Sequence, residues 1–183
     1  RINIVDLFVD PMPDIIIDGT ATYCLNRPNT PVILDAGIGN QNPASFTYLW
    51  TPNGETSSTL SVVTAGTYTV TVTNRHGCSK VRTIIVKNSD IAVIENSTIT
   101  DLSDNNTITI SVQGDEAEFN YSLNLPNGPF QLSNYFDYVK PGIHTVYISD
   151  SDGCGIVNKE ISVLGIPAFF TPNGDGYNDT WKV

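Results

Sequence analysis

The groups in this sequence that could carry acid–base or metal chemistry are two histidines and two pairs of aspartates. His76 and His144 fall in different halves of the chain, and neither belongs to a metal-ligand spacing such as His-Glu-x-x-His. Zinc binding and Ser-His-Asp catalysis are therefore not supported. The acid pairs are Asp101 with Asp104 and Asp150 with Asp152. Both pairs lie in predicted turns, where Asp bonds to its own backbone, so we expect no enzyme and no cofactor.

Oxygen-bearing side chains recur near the end of the chain, at Asn173, Asp175 and Asp179, with glycines between them. This spacing partly resembles the Asp-x-Asn-x-Asp-Gly calcium loop. It departs from that loop because Tyr177 occupies the third ligand position and no bidentate Glu follows. Two interpretations stay open, a calcium site and a hydrogen-bonded Asx turn that needs no metal.

The composition excludes several classes of protein. Nine Lys and Arg against nineteen Asp and Glu give a net charge of -10, which repels a phosphate backbone, so nucleic acid is not an expected partner. The apolar runs are too short for a transmembrane segment. Short β-branched runs separated by Gly, Pro, Asn and Asp are typical of β-sandwiches and barrels. The chain starts at Arg1 rather than Met, so we expect it to be a piece of a longer protein.

An internal repeat indicates two modules. Residues 66–78 align without a gap with residues 142–154, and each copy continues into a second β-rich run, 80–86 or 156–163. Both copies predict a β-hairpin whose turn ends in Gly-Cys. In the first copy Tyr68, Val70 and Val72 should face the core while the intervening threonines face solvent.

Upstream of each hairpin we predict three more strands. They are Pro31–Leu34, Thr47–Trp50 and Ser58–Val63 in the first module, and Thr107–Val112, Glu118–Leu123 and Gln131–Val139 in the second. The turns are Pro52-Asn53-Gly54 and Pro126-Asn127-Gly128. This density of short strands predicts an all-β chain of tandem Ig-like or PKD-like Greek-key β-sandwiches. The modules are placed at 14–88 and 89–165, after a segment at 1–13 that is read as the end of a preceding repeat and a linker.

The first module carries Tyr48-Leu49-Trp50, then Gly54, then the run from Ala65 to Val72. In these residues it resembles the PKD and Ig-like repeats of bacterial cell-surface proteins. Such a resemblance implies a fold and is poor evidence for a ligand.

Three cysteines predict one disulfide bridge and one leftover thiol. Cys24 opens the first module and Cys78 closes its hairpin, with Trp50 between them, an order similar to the Cys, Trp, Cys order of Ig domains. We therefore predict a Cys24–Cys78 disulfide, and the alternative is two buried thiols. Cys154 aligns with no second cysteine in its module and is expected to be a small buried residue.

The end of the chain carries a long motif. Its residues are Phe169, Phe170, Thr171, Pro172, Asn173, Gly174, Asp175, Gly176, Asn178, Asp179 and Trp181. The stretch from Val163 to Trp181 closely resembles the start of the gliding-motility-associated C-terminal domain, the type B sorting signal of the type IX secretion system of Bacteroidota. That family's domain continues for several more strands, so residues 166–183 would be only its beginning.

The resemblance implies entry into the periplasm and recognition of the C-terminal domain by the outer-membrane type IX translocon and its shuttle barrel. Export would leave the protein secreted or on the cell surface. The aromatic rings of the motif could supply contact area on a rigid turn. Alternatively, Phe169, Phe170 and Trp181 could seed the core of the sorting domain itself.

Three hypotheses for the function follow. The first is the C-terminal stalk and secretion-signal region of a large adhesin-like surface protein. The second is the repeat tether of a carbohydrate-binding or carbohydrate-degrading protein whose active module lies upstream and reaches surface glycans. The third is a sandwich that itself grips glycans through exposed Tyr and Trp. The first is favoured because no cluster of aromatic and acidic residues converges in the sequence.

Overall fold

The computed structural model describes residues 11–114 and 116–165, together with Gly174. The chain divides into two compact units between Ser89 and Asp90, whereas the sequence placed the boundary between residues 88 and 89. Within the described ranges the regular structure consists of β-strands and two short 3-10 turns, Pro43–Ser45 and Glu116–Glu118. The chain is therefore all-β, as predicted. No helix in the described ranges is long and apolar enough to cross a membrane.

The first unit is a sandwich of two sheets. Its strands are β1 (Asp18–Cys24), β2 (Val32–Asp35), β3 (Phe46–Thr51), β4 (Thr59–Val62), β5 (Gly66–Asn74) and β6 (Ser79–Ser89). One sheet has the order β1-β6-β5-β3, and the other pairs β2 with β4. β1 runs parallel to β6, and the other pairs are antiparallel.

The core of the first unit is formed by side chains that alternate along its strands between a buried and an outward face. Tyr68, Val70 and Val72 of β5 are buried, as the period-2 pattern predicted. Trp50 of β3 belongs to the same cluster and is only 1% exposed, while its neighbour Leu49 points to the opposite face and is 53% exposed. Strands β3 and β5 therefore bury one face and turn the other face outward.

The described part of the second unit has as many strands as that of the first, in a different arrangement. Its strands are β7 (Ile94–Thr100), β8 (Thr107–Val112), β9 (Phe119–Leu123), β10 (Tyr135–Phe136), β11 (Gly142–Asp150) and β12 (Ile156–Val163). The sheets have the orders β10-β8-β7 and β12-β11-β9. The core cluster contains Ile108, Ile110, Val146 and Ile148, all of which are completely buried.

The first strand of each unit joins a different sheet. β1 lies beside β6 in a parallel ladder that runs from Asp18 opposite Thr83 to Cys24 opposite Ser89. β7 instead pairs antiparallel with β8, with an irregular register between Ile94 and Asn96. Counting the described strands, the hairpin sheet consequently has four in the first unit and three in the second.

One predicted strand, Gln131–Val139, is wrong over most of its length. Gln131 forms an isolated bridge with Tyr121, and only Tyr135–Phe136 is a strand. The side chain of Gln131 explains the break, because its Nε2 donates to the carbonyls of Ser133 and Tyr135 at 2.8 and 2.9 Å. These bonds fold residues 131–135 into a turn.

Two buried tyrosines differ in how their hydroxyls are satisfied. Tyr48 Oη donates to the carbonyl of Pro43 at 2.9 Å. The Tyr121 side chain is completely buried, and its Oη has no hydrogen-bond partner among the described residues. A buried hydroxyl without a partner costs free energy, whereas a bonded one contributes a little.

We therefore expect Tyr121→Phe to raise the free energy of unfolding of the second unit by about 1 kcal/mol. The matched Tyr48→Phe change should lower the free energy of unfolding of the first unit by a similar amount.

The pKa of Tyr121 is raised above its ordinary value by burial and, to a smaller extent, by the charge of Glu116. Stability should thus fall as the pH rises beyond about 10, and Tyr121→Phe should remove that part of the loss. Urea titrations at neutral and alkaline pH would measure both effects, and a destabilised Tyr121→Phe would show that its hydroxyl has a partner.

Candidate functional site

The motif that carries the sorting resemblance lies almost wholly outside the described residues. Gly174 alone is described, and it is exposed with a φ of 77°, in the left-handed region that suits glycine. The possible calcium ligands Asn173, Asp175 and Asp179 also lie outside. The roles predicted for this motif therefore stay predictions.

The predicted Cys24–Cys78 disulfide is wrong. Cys24 ends β1 and pairs in register with Ser89, the last residue of β6. Cys78 immediately precedes Ser79, the first residue of the same strand. At about 3.3 Å per residue the strand separates the two cysteines by about 35 Å. A disulfide requires Cα atoms within about 7 Å, so the parallel direction of β1 excludes the bridge.

The hairpin turns of the two units are built around equivalent residues, Asn74 and Asp150. Asn74 Oδ1 accepts hydrogen bonds from the backbone N–H groups of His76 and Cys78, both at 3.0 Å. Asp150 is 4% exposed, and its Oδ2 accepts from the N–H of the completely buried Cys154 at 2.7 Å. In both turns the side chain closes the loop between strands, so the prediction of turn chemistry at Asp150 is confirmed.

We expect Asp150→Ala to lower the free energy of unfolding of the second unit by about 2 kcal/mol, because it leaves the N–H of Cys154 without its acceptor in a buried turn. Asp150→Asn should be much milder, since Asn74 performs the same task in the first unit. Thermal unfolding of the two variants measures the difference. Equal losses in both variants would mean that the charge, and not the acceptor oxygen, is what the turn requires.

The two histidines serve local structure. His144 Nε2 donates to the carbonyl of Lys140 at 2.6 Å, which leaves Nδ1 to accept from the amide of Asn124 at 2.8 Å. His76 is exposed, and its Nε2 accepts from Arg75 Nε at 2.9 Å. Neither ring faces a nucleophile in these contacts. Among the described residues no group of three His, Cys, Asp or Glu could hold a metal ion.

An open cleft of about 640 Å³ lies in the first unit. It is lined by Asp14, Ile15, Ile16, Gly37, Ile38, Gly39, Asn40 and Gln41. Among the described residues that line this cleft, Asp14 is the only titratable one. The cleft was not among the predicted sites, although the run Gly37-Ile38-Gly39-Asn40 indicates a loop with unusual backbone.

Glycine at position 37 has a clear structural reason. Its φ is 78°, and a Cβ there would lie 2.2 Å from Arg82 Nη1. The Gly37 N–H donates to Asp35 Oδ1 at 2.6 Å, which fixes the turn after β2. The Arg82 side chain therefore runs across the loop where a larger residue would displace it.

Comparison with known proteins gives remote structural similarity only. No protein-family model matches the chain, and the search of curated proteins returned no match. The chain is similar to the crystal structure of murine CEACAM1b, with a TM-score of 0.49 and 14% identity over 84% of this chain and 100% of that one. It is also similar to the CD2-binding domain of CD58, with a TM-score of 0.46 and 9% identity over 82% and 99% of the two chains.

A third similar structure is the N-terminal eight Ig domains of Down syndrome cell adhesion molecule isoform 1.30.30. The TM-score is 0.44 and the identity 13%, over 81% of this chain, which spans 27% of that chain's length. Because these scores are low, the fold assignment rests on the strand order within each unit. In each unit the strands are divided between two sheets, as in a Greek-key β-sandwich.

Proposed function

We propose that this chain is the C-terminal stalk and secretion-signal region of a large adhesin-like surface protein. In this proposal the two β-sandwich units are spacers, and residues 166–183 begin the domain that the type IX outer-membrane translocon and its shuttle barrel recognise. The protein would reach the cell surface or the medium through the periplasm and outer membrane. The observation that carries the proposal is the motif from Phe169 to Trp181 directly after the second unit.

The described residues support a spacer role in two ways. Their polar side chains are largely used in turns, as Asn74, Asp150 and His144 illustrate. Among the described residues that line the open cleft of the first unit, one is titratable. Side chains used in this way stabilise the module that carries them, which is what a spacer requires.

Export of a reporter tests the proposal. A fluorescent protein with a periplasmic leader would be fused to this chain, followed by the parent protein's native C-terminus. In a host with a type IX system the reporter should appear at the surface or in the medium. In the same host without the translocon it should stay in the periplasm, and retention in both hosts would overturn the proposal.

Substitutions in the motif sharpen the test. Phe169→Ala with Phe170→Ala should reduce the exported fraction by about tenfold or more if these rings are contact residues of the size found at interface hot spots. Leu132→Ala is the control, because Leu132 is exposed and lies outside the motif. Normal export of the double variant would remove these phenylalanines from the recognition surface.

A further inference from the structure

Four large apolar side chains are exposed at the end of the second unit where the described chain leaves it. Leu102, Tyr138, Ile143 and Leu164 are 41%, 75%, 76% and 45% exposed. Leu102 lies between β7 and β8, Tyr138 lies between β10 and β11, and Ile143 is the second residue of β11. Leu164 follows β12. We call these four residues the C-terminal pole.

Hydrogen bonds hold three of these segments together. The Leu102 N–H donates to the carbonyl of Leu164 at 3.4 Å, and the Leu164 N–H donates to Asp101 Oδ2 at 3.2 Å. The Tyr138 N–H donates to Asn105 Oδ1 at 2.7 Å. Ile143 lies at the same end because it pairs with Ser162, near the last residue of β12. The pole is therefore one surface built from separate parts of the chain.

The backbone of the pole is unusual at two of its four residues. Leu102 has a φ of 54° and Tyr138 a φ of 49°, in the left-handed region that bulky residues rarely adopt. Glycine would occupy this region without strain. Both positions instead hold large apolar side chains that are left mostly in solvent. Strain and apolar exposure at the same two residues indicate a contact surface.

The chain itself supplies an occupant. It leaves the pole at Gly165, which lies so close to Pro141 that a Cβ at residue 165 would be 2.2 Å from Pro141 Cγ. Phe169 and Phe170 follow within five residues, a reach of at most about 18 Å. A tether this short gives an effective concentration of the order of millimolar. Phenylalanine rings are also large apolar groups, which suit binding to an apolar surface of this kind.

We propose that the C-terminal pole is the docking surface for the segment that follows it, with Phe169 and Phe170 covering Leu102, Tyr138, Ile143 and Leu164. The docked segment sets the position in which the motif is presented. This contact does not depend on the route of export.

Cleavage by chymotrypsin after Phe169 and Phe170 tests the docking, with mass spectrometry to count each cut. A synthetic peptide of residues 166–183 is the undocked reference. In the full 183-residue chain these bonds should be cut at least about tenfold more slowly than in the peptide. Tyr138→Gly and Leu102→Gly should both bring the rate back towards that of the peptide. Glycine suits the backbone at both positions, so these variants should fold.

Leu132→Ser is the matched control, because Leu132 is 75% exposed and lies outside the pole; its cleavage rate should equal that of the unchanged chain. Cutting of the full chain at the peptide's rate would overturn the proposal. Protection from cleavage that persists in both glycine variants would also overturn the proposal. Protection that disappears on dilution, together with a dimer seen by sedimentation, would assign the pole to a second copy of the chain and also overturn it.

Discussion

Replacing Trp50 with alanine should lower the free energy of unfolding of the first unit by about 3–5 kcal/mol. The indole is almost completely buried in the core, and its Nε1 donates to the carbonyl of Ser57 at 2.9 Å. Truncation removes this packing, leaves a cavity and takes the donor from the Ser57 carbonyl. Urea unfolding followed through the NMR signals of Val70 and Ile148 would report on the first and second units separately.

Two further variants separate the contributions at this position. Trp50→Phe keeps an aromatic ring and loses the N–H donor, so its effect should lie between those of the unchanged chain and the alanine variant. Leu49→Ala should change stability by less than about 0.5 kcal/mol, since Leu49 points to the opposite, exposed face of β3. A loss at Leu49 as large as that at Trp50 would contradict the facing of this strand.

Asn106→Ala should lower the free energy of unfolding of the second unit by about 2–4 kcal/mol. Asn106 is 6% exposed, its Oδ1 accepts from the Ser103 N–H at 3.1 Å and its Nδ2 donates to the Val139 carbonyl at 3.2 Å. Its own carbonyl accepts from the Val139 N–H at 2.9 Å. The amide therefore joins the loop before β8 to the loop before β11, and an alanine would leave both of its partners unsatisfied.

The neighbouring asparagine is the natural control. Asn105→Ala removes only the acceptor of the Tyr138 N–H in an exposed bond, which should cost about 1 kcal/mol. The same NMR-detected urea titration ranks the two variants. If Asn105→Ala proved as damaging as Asn106→Ala, the buried amide would not be the main connection between these loops.

The hairpins were the most predictable part of the fold. The strand Ile156–Val163 and the strand Thr107–Val112 have the predicted bounds, because alternation and turn residues are local signals. β1 and β7 were missed for a physical reason. In β1 only Tyr23 is buried, and β7 has no buried residue, so neither strand shows strong alternation between apolar and polar residues.

The candidate sites depended on non-local features that a sequence does not display. The order Cys24, Trp50, Cys78 suggested a bridge, yet the parallel direction of β1 places Cys24 at the far end of β6. The strained backbone at Leu102 and Tyr138 likewise has no local sequence signal, since neither residue is a usual turn former. Turn residues with their own side-chain acceptors, such as Asp150, were predictable because their bonds are short in sequence.

The different placement of β1 and β7 has a mechanical consequence. In the first unit the first and the last of the described strands are direct neighbours and run in the same direction. A pull on the two ends of this unit therefore slides β1 against β6 and loads the whole parallel ladder at once, in shear. In the second unit β7 and β12 belong to different sheets, so the same pull is resisted by the packing between sheets. Forced unfolding is governed by the rate at which the unfolding barrier is crossed. Although the two units are repeats of one another, we therefore expect them to unfold under tension in different ways.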